Sequence, residues 1–511
     1  MSDSTETTGP SSTTFASIRM LFKSGAIVLF ATYFDYAISF IGKILIADHL
    51  GKVDYGFVSV GIVLVSTVNT VALLGLSNGV SRYLPRYSDK EMHERIISSG
   101  FFLIITSSLT ISALLFMFSE PIAIQIIQNR DATLVIRVFT VIAPFAVVRS
   151  YFYGTVQGLE KTVPKVIVEN VLDPVLRITL IGGAVAFSLN QIGGIAAYSI
   201  PYVVTGILGL WYLVRRTPLS LKLPTKGVSG RGGMYRELLT FSVPLAVSGA
   251  MSMVLSDIDT YFLTFYSNVG SVGVYHVIYP IATILTSFLE AFAFLTIPLI
   301  SRHHSKDDFR GMRHLYKTVV KWTVALSLPT FLVFVLEPST VISSTFGAEY
   351  AEGGTALAVL SVGFFIHGFA GPSLAALTSM GHNRLVMYDT IIVAAVNVVL
   401  NFFLVPKYGL LGAAVATMLS YFVSNALGVV QLYKFADIQP FSREAIVLPV
   451  LAIGFFVGTQ KFILGDGTSL QWIFSWAVVS SVGYGLVALY IVYGEEEREI
   501  LRATVERILR K

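Results

Sequence analysis

Long apolar runs separated by short polar connections pattern the whole chain. A helix needs about 20 mostly apolar residues to cross a bilayer. Fourteen runs meet that length, with cores at 24–48, 55–76, 97–118, 133–156, 164–188, 192–214, 238–263, 272–299, 318–336, 355–379, 385–405, 409–433, 445–464 and 471–493. The 272–299 run is long enough to be tilted or broken. No connection is long enough to fold into a soluble domain. The pattern predicts an all-α integral membrane protein.

Composition agrees. Of 511 residues, 54% are hydrophobic and 13% charged, and the mean hydropathy is +0.72. Soluble domains carry about 25% charged residues. The absence of cysteine excludes disulfides and thiolate metal sites. The polar start, MSDSTETTGPSSTTF, has no basic segment before the first apolar run and does not resemble a cleaved signal. This stretch is expected to be short and disordered, within a cytoplasmic N-terminal tail at residues 1–23.

Charge placement sets an expected orientation. With the N-terminus inside, 27 Lys and Arg residues fall on inner segments and only Lys52, Arg130, Lys407 and Lys461 on outer ones. Both termini are expected in the cytoplasm of a plasma-membrane protein. The inner segment Arg215–Arg236 is the most basic connection, with Arg215, Arg216, Lys222, Lys226, Arg231 and Arg236 and no acid before Glu237. Pro218, Pro224 and four glycines keep it from forming a helix. It reads as a cytoplasmic linker at 217–236 between membrane halves at 24–216 and 237–434. Two extra spans (435–493) follow. The tail, 494–511, places Ile500, Leu501, Val505, Ile508 and Leu509 at helical spacing and reads as an amphipathic helix.

The two sides of the linker echo each other in order. Tyr55-Gly56-Phe57 and Val272-Gly273-Val274 open the second and eighth spans. Ser81-Arg82 and Ser301-Arg302 close them. Gln157-Gly158-Leu159-Glu160-Lys161 corresponds to Ser379-Met380-Gly381-His382-Asn383-Arg384, and Gly193-Gly194-Ile195-Ala196-Ala197 to Leu411-Gly412-Ala413-Ala414. Six spans per copy give parallel repeats, an arrangement that places a transport path between the halves.

Fourteen spans arranged as six, six and two, the basic central loop, and the elements LGKVDYGFVSVG and VGSVGVYHVIYP resemble the polysaccharide-transport branch of the MOP exporter superfamily. That branch includes O-antigen flippases and relatives that move lipid-linked oligosaccharides. The resemblance covers residues from about 19 to 493. It implies a transporter, with membrane lipids and glycan-assembly enzymes as partners.

Ionisable residues inside spans cost about 2.5–3.5 kcal/mol on insertion scales, so they mark pairing or function. Asp35, Lys43, Arg137, Arg149, Glu169, Asp173 and Arg177 occupy the first half. Asp257, Asp259, Glu290, Lys321 and Asp389 occupy the second, with His276 and His367. Glu169, Asp173 and Arg177 stand at i, i+4 and i+8, which puts them on one helix face and predicts either a polar stripe toward a cavity or an internal ion-pair ladder. Arg149 precedes Tyr151 and Tyr153, a set suited to sugar contact or, for the arginine, to an interfacial position. Asp257 and Asp259 are two apart and face nearly opposite sides of a helix. Lone histidines in a polar bundle are expected to be structural.

No Walker loop, His-Glu-x-x-His metal spacing or nucleophile elbow occurs. No cofactor or nucleic-acid partner is expected. The expected function is flipping a polyprenyl-phosphate-linked oligosaccharide to the outer leaflet by alternating access. Lys43, Arg149 and Arg177 would meet phosphate, Tyr151 and Tyr153 would meet sugar, and Asp35, Glu169, Asp173, Asp257, Asp259 and Glu290 would serve as coupling or cavity acids. A cation-coupled multidrug exporter with an acid-dominated site is the alternative. A membrane glycosyltransferase or ligase would need larger outer loops than the segment around Glu337–Gly353.

Overall fold

The computed structural model describes residues 12–220, 231–463 and 470–491. Lys222, Lys226, the 494–511 tail and the first eleven residues lie outside them, and residues 12–23, expected as a tail, instead begin the first helix. Among the described residues the regular structure is helical, as lipid demands, because a helix satisfies its own backbone donors and acceptors.

The long helices are α1 (Ser12–Leu73), α2 (Lys90–Met117), α3 (Ala132–Gly158), α4 (Asp173–Ala186), α5 (Gln191–Arg216), α6 (Arg231–Tyr266), α7 (Val269–His304), α8 (Phe309–Leu336), α9 (Gly354–Ala370), α10 (Asn383–Ala436), α11 (Arg443–Ile463) and α12 (Leu470–Ile491). The described parts of the fourteen expected runs are helical over most of their length, although eleven helical stretches are individually long and apolar enough to cross a membrane among the described residues. The difference has three causes. α1 bends at Gly51, whose φ of 74° only glycine adopts without cost, and carries two of the runs. α10 bends likewise at Gly409, φ 51°. The 164–188 run is divided between Thr162–Val166, a widened π turn at Ile167–Leu172, and α4.

The 272–299 run proves to be one 36-residue helix, α7, containing Pro280 and Pro298. The central linker is shorter than its composition predicted. Arg215 and Arg216 form the last turn of α5, where cations favour the negative helix end, and α6 begins at Arg231. The connection near Glu337 is itself structured, as a helix at Pro338–Phe346 and a 3-10 turn at Ala348–Gly353.

Contacts group the chain into two compact units. The first comprises Met1–His49, Leu64–Ser119 and Leu134–Ala246, and the second Leu50–Val63, Glu120–Thr133 and Val247–Lys511. Within the first unit, helices approach through small residues, the usual solution where lipid supplies no hydrophobic drive between helices. A Cβ on Gly206 would lie 2.6 Å from the Phe145 carbonyl oxygen, and one on Gly158 would lie 2.8 Å from the Ser81 Cα. Within the second unit, α9 packs on α7, α8 and α10, and α11 and α12 pack on α8. There the repeat-related Gly56 and Gly273 meet: a Cβ on Gly273 would lie 3.1 Å from the Gly56 nitrogen. Lys52 and Glu352 pair at 2.9 Å in the same unit. Large apolar side chains such as Phe187, Met117, Phe474 and Leu486 are exposed, as on a lipid-facing surface.

Candidate functional site

The start of α4 sets the geometry of the first unit's buried charges. Pro174 has no N–H to donate and its ring crowds the preceding turn. The helix widens just before it, and the Asp173 N–H reaches the Val168 carbonyl five residues back. The widened turn breaks the i, i+4, i+8 stripe expected for Glu169, Asp173 and Arg177. Glu169 turns to Lys165 at 3.7 Å and is 40% exposed, whereas Asp173 and Arg177 stay together beyond it.

Asp173 binds two arginines from two helices. Arg149 Nη1 on α3 donates to Oδ1 at 2.9 Å, and Arg177 Nη2 on α4 donates to Oδ2 at 2.7 Å. The three side chains are 11–19% exposed. Aromatic rings back both guanidinium groups. Arg149 lies 4.5 Å from the Tyr202 ring centre and 5.9 Å from that of Tyr153, and Arg177 lies 5.0 Å from that of Tyr198. Two cations share one anion, so the triad carries one surplus positive charge. It also holds surplus donors: Arg149 Nε, Arg177 Nε and the Tyr153 hydroxyl are buried without a hydrogen-bond partner.

Asp35 and Lys43 belong to the same electrostatic neighbourhood. Asp35 is within reach of Arg177, Asp173 and Lys43, and it accepts from Ser39 at 2.9 Å. Lys43 is within reach of Arg177 and Asp35. Tyr151 is placed differently. It is fully buried, and its hydroxyl donates to the Ile97 carbonyl at 2.7 Å, tying α3 to α2. Arg137 is exposed and bonds Ser119 at 3.0 Å near the end of its helix.

The second unit holds a separate polar knot around Asp259, which has no exposure. Its carboxylate accepts from Asn401 Nδ2 at 2.6 Å, Thr417 Oγ1 at 2.6 Å and the Tyr275 hydroxyl. Asn397 lies one turn before Asn401 on α10 and shares its amide. Asn401 Oδ1 and Asn397 Nδ2 remain buried without partners. Asp257 is only half-buried, so the two acids do differ in environment, as their spacing predicts. Glu290 is exposed, with Thr286 at 3.5 Å. His276 bonds Thr260 at 3.0 Å and His367 bonds Asn425 at 2.9 Å. Asp389 is buried against Gln431 at 2.8 Å. No group of three or more His, Cys, Asp or Glu side chains suited to a metal occurs among the described residues.

Sequence reasoning brought Arg149, Asp173, Arg177 and Tyr153 forward but missed Tyr198 and Tyr202. Their signal was available, since they stand at i and i+4 on the sixth span around Pro201. It also missed Tyr275, Asn397, Asn401 and Thr417. Only the i, i+4 spacing of the two asparagines could have flagged any of these.

Comparison with known proteins gives this geometry a family. A family model described as polysaccharide biosynthesis protein matches residues 21–304, and the MatE model matches residues 244–403. An uncharacterized membrane protein of Methanocaldococcus jannaschii is 22% identical across 92% of this chain and 96% of its own. The probable low-salt glycan biosynthesis flippase Agl15 of Haloferax volcanii is 26% identical, over 52% of this chain and 55% of that one. Among solved structures, the lipid II flippase MurJ in an inward closed conformation superposes with a TM-score of 0.73 at 13% identity, covering 91% of this chain and 99% of that one. With more than half of its length matched by one family model, the chain belongs to the polysaccharide biosynthesis protein family.

Proposed function

We propose that the protein is a flippase that moves a polyprenyl-phosphate-linked oligosaccharide from the cytoplasmic to the outer leaflet by alternating access. The observation that carries this is the donor and charge surplus of the Arg149–Asp173–Arg177 triad. A buried site with one extra cation and unpaired N–H groups is complementary to an anion, and guanidinium forks match phosphate oxygens. The tyrosines beside the arginines suit a glycan, because a phenol offers both a flat apolar face and a hydroxyl. Tyr153 is the first of these for sugar contact, and Tyr151 positions α3 behind it. Lys43 would add charge for the phosphate, while Asp35 and Glu169 would keep the path from trapping it. The name of the Haloferax relative supports glycan-linked cargo. Glycan-assembly enzymes on the inner leaflet would supply the substrate. Of the remaining acids, Asp259 is best placed to carry a coupling cation, with Asp257 beside it and Glu290 on α7.

The test is deletion in the native host followed by analysis of lipid-linked glycans on each leaflet. Accumulation of a complete lipid-linked glycan on the inner face is expected. The MatE match over the region that contains Asp259 favours a second reading, a cation-coupled exporter. Unchanged glycans together with drug hypersensitivity would establish that reading instead.

A further inference from the structure

We infer that Asp173 is a built-in competitor for the anionic headgroup: its carboxylate occupies both arginines when no substrate is bound and must be displaced when the headgroup enters. The inference rests on the phosphate reading above and adds a role for the one acid inside the triad. Asp173 divides its two oxygens between Arg149 and Arg177, one apiece, rather than forming a two-bond fork with either. Each guanidinium is therefore held by a single terminal nitrogen, and each leaves its Nε–H buried without an acceptor.

A carboxylate offers two oxygens and one negative charge. A phosphate or pyrophosphate offers more oxygens and more charge, and can take the Nε–H and terminal N–H groups of both arginines together. The exchange thus satisfies donors that Asp173 leaves unsatisfied. Without Asp173, both buried guanidinium groups would lose their hydrogen-bonded counter-ion, and an anionic headgroup would be held too strongly to be released. With it, release is assisted, because the carboxylate returns as the headgroup leaves.

Local structure permits the exchange. Asp173 ends the π turn at Ile167–Leu172, which forms where Pro174 supplies no N–H. π turns recur at functional sites. A change there would rotate Asp173 about the helix axis. The two arginines are meanwhile held in place by the rings of Tyr153, Tyr198 and Tyr202.

The experiment measures binding of geranylgeranyl diphosphate, inorganic pyrophosphate and geranylgeraniol to the purified full chain in detergent. Asp173→Asn is expected to bind geranylgeranyl diphosphate about tenfold tighter than the unmodified protein, with a slower off-rate, as removing one charge-assisted competitor implies. Asp173→Glu, which keeps a carboxylate, stays within about threefold. Geranylgeraniol is unaffected by either change. Inorganic pyrophosphate bound by the unmodified protein as tightly as the lipid would assign the site to a free anion and overturn the lipid-headgroup role. Equal or weaker binding by Asp173→Asn, while Arg149→Gln and Arg177→Gln lose affinity, would overturn the competitor role and leave the phosphate reading standing. If neither arginine variant loses affinity, the phosphate reading itself falls. Should Asp173→Asn not fold, infrared difference spectra of the unmodified protein decide. Saturating geranylgeranyl diphosphate must shift a carboxylate stretch that moves in Asp173→Glu, and no shift refutes the inference.

Discussion

Arg149 and Arg177 reach the same carboxylate from two different helices, at 2.9 and 2.7 Å. Asp173 therefore does not depend on either arginine alone. An isolated pair would leave a buried acid stranded when its single partner is removed, a loss of about 3–5 kcal/mol. A shared acid keeps one partner after either single replacement.

The first prediction follows from this sharing. Arg177→Ala is expected to insert and fold near normal levels while losing most transport, and Lys at that position to restore only part of it, since a point charge replaces a planar fork. Arg149→Ala with Arg177→Ala together strands Asp173, and the protein level should fall. Adding Asp173→Ala should restore the level without restoring transport. Fluorescence-detected size exclusion and a leaflet-resolved glycan assay measure the two separately. Transport regained by Arg177→Ala with Asp173→Ala would show that the arginine only neutralised the acid.

Asp259 makes a second prediction. Tyr275, Asn401 and Thr417 all donate to it inside the second unit. Asp259→Leu removes the shared acceptor of three buried donors, at up to about 1–3 kcal/mol each, and should lower the thermal midpoint sharply or prevent folding. Asp259→Asn keeps the shape and most bonds and should fold. If Asp259 carries a coupling cation, the Asn variant loses cation-dependent transport and cation-dependent thermal stabilisation. Retention of both would remove Asp259 from that role.

Glycines give a paired prediction about packing. A Cβ on Gly206 would stand 2.6 Å from the Phe145 backbone oxygen, and one on Gly182, inside α4, would meet nothing within 4 Å. Gly206→Ala should force the first unit's helices apart and reduce the amount of folded protein. Gly182→Ala should be tolerated, and a gain of about 1 kcal/mol is expected from helix propensity alone. Thermal melts in detergent distinguish them.

Orientation is predicted from the basic residues. In the naturally cysteine-free chain, single cysteines at Ser229 and Ser305 should react with an impermeant thiol reagent only from the cytoplasm, and those at Ser267 and Ser469 only from outside. Reaction of the Ser229 position from outside would overturn the orientation.

The hydrophobic pattern by itself determined the fold class. A bilayer imposes one length and one backbone solution on every span, so apolar runs of the right length could only be helices. The repeat motifs and their order carried the family, and Gly56 and Gly273 are small because the two copies of the motif approach each other there backbone to backbone. The list of charges within apolar runs was also legible, because an ionisable residue stands out there. Their partnerships were not. Periodicity put Glu169 with Asp173 and Arg177, but Pro174 widens the preceding turn and sends Glu169 to Lys165. Sequence placed Tyr151 beside Arg149, yet the helix turns Tyr151 into the contact with α2 and leaves the arginine facing Tyr202, from a helix two connections away. The Asp259 knot draws its donors from residues up to 158 positions distant. Hydrogen bonds and ion pairs act over a few ångströms in space, and no regular spacing along a chain encodes which helix faces which. Tertiary packing decided that, and with it which buried charges form a site.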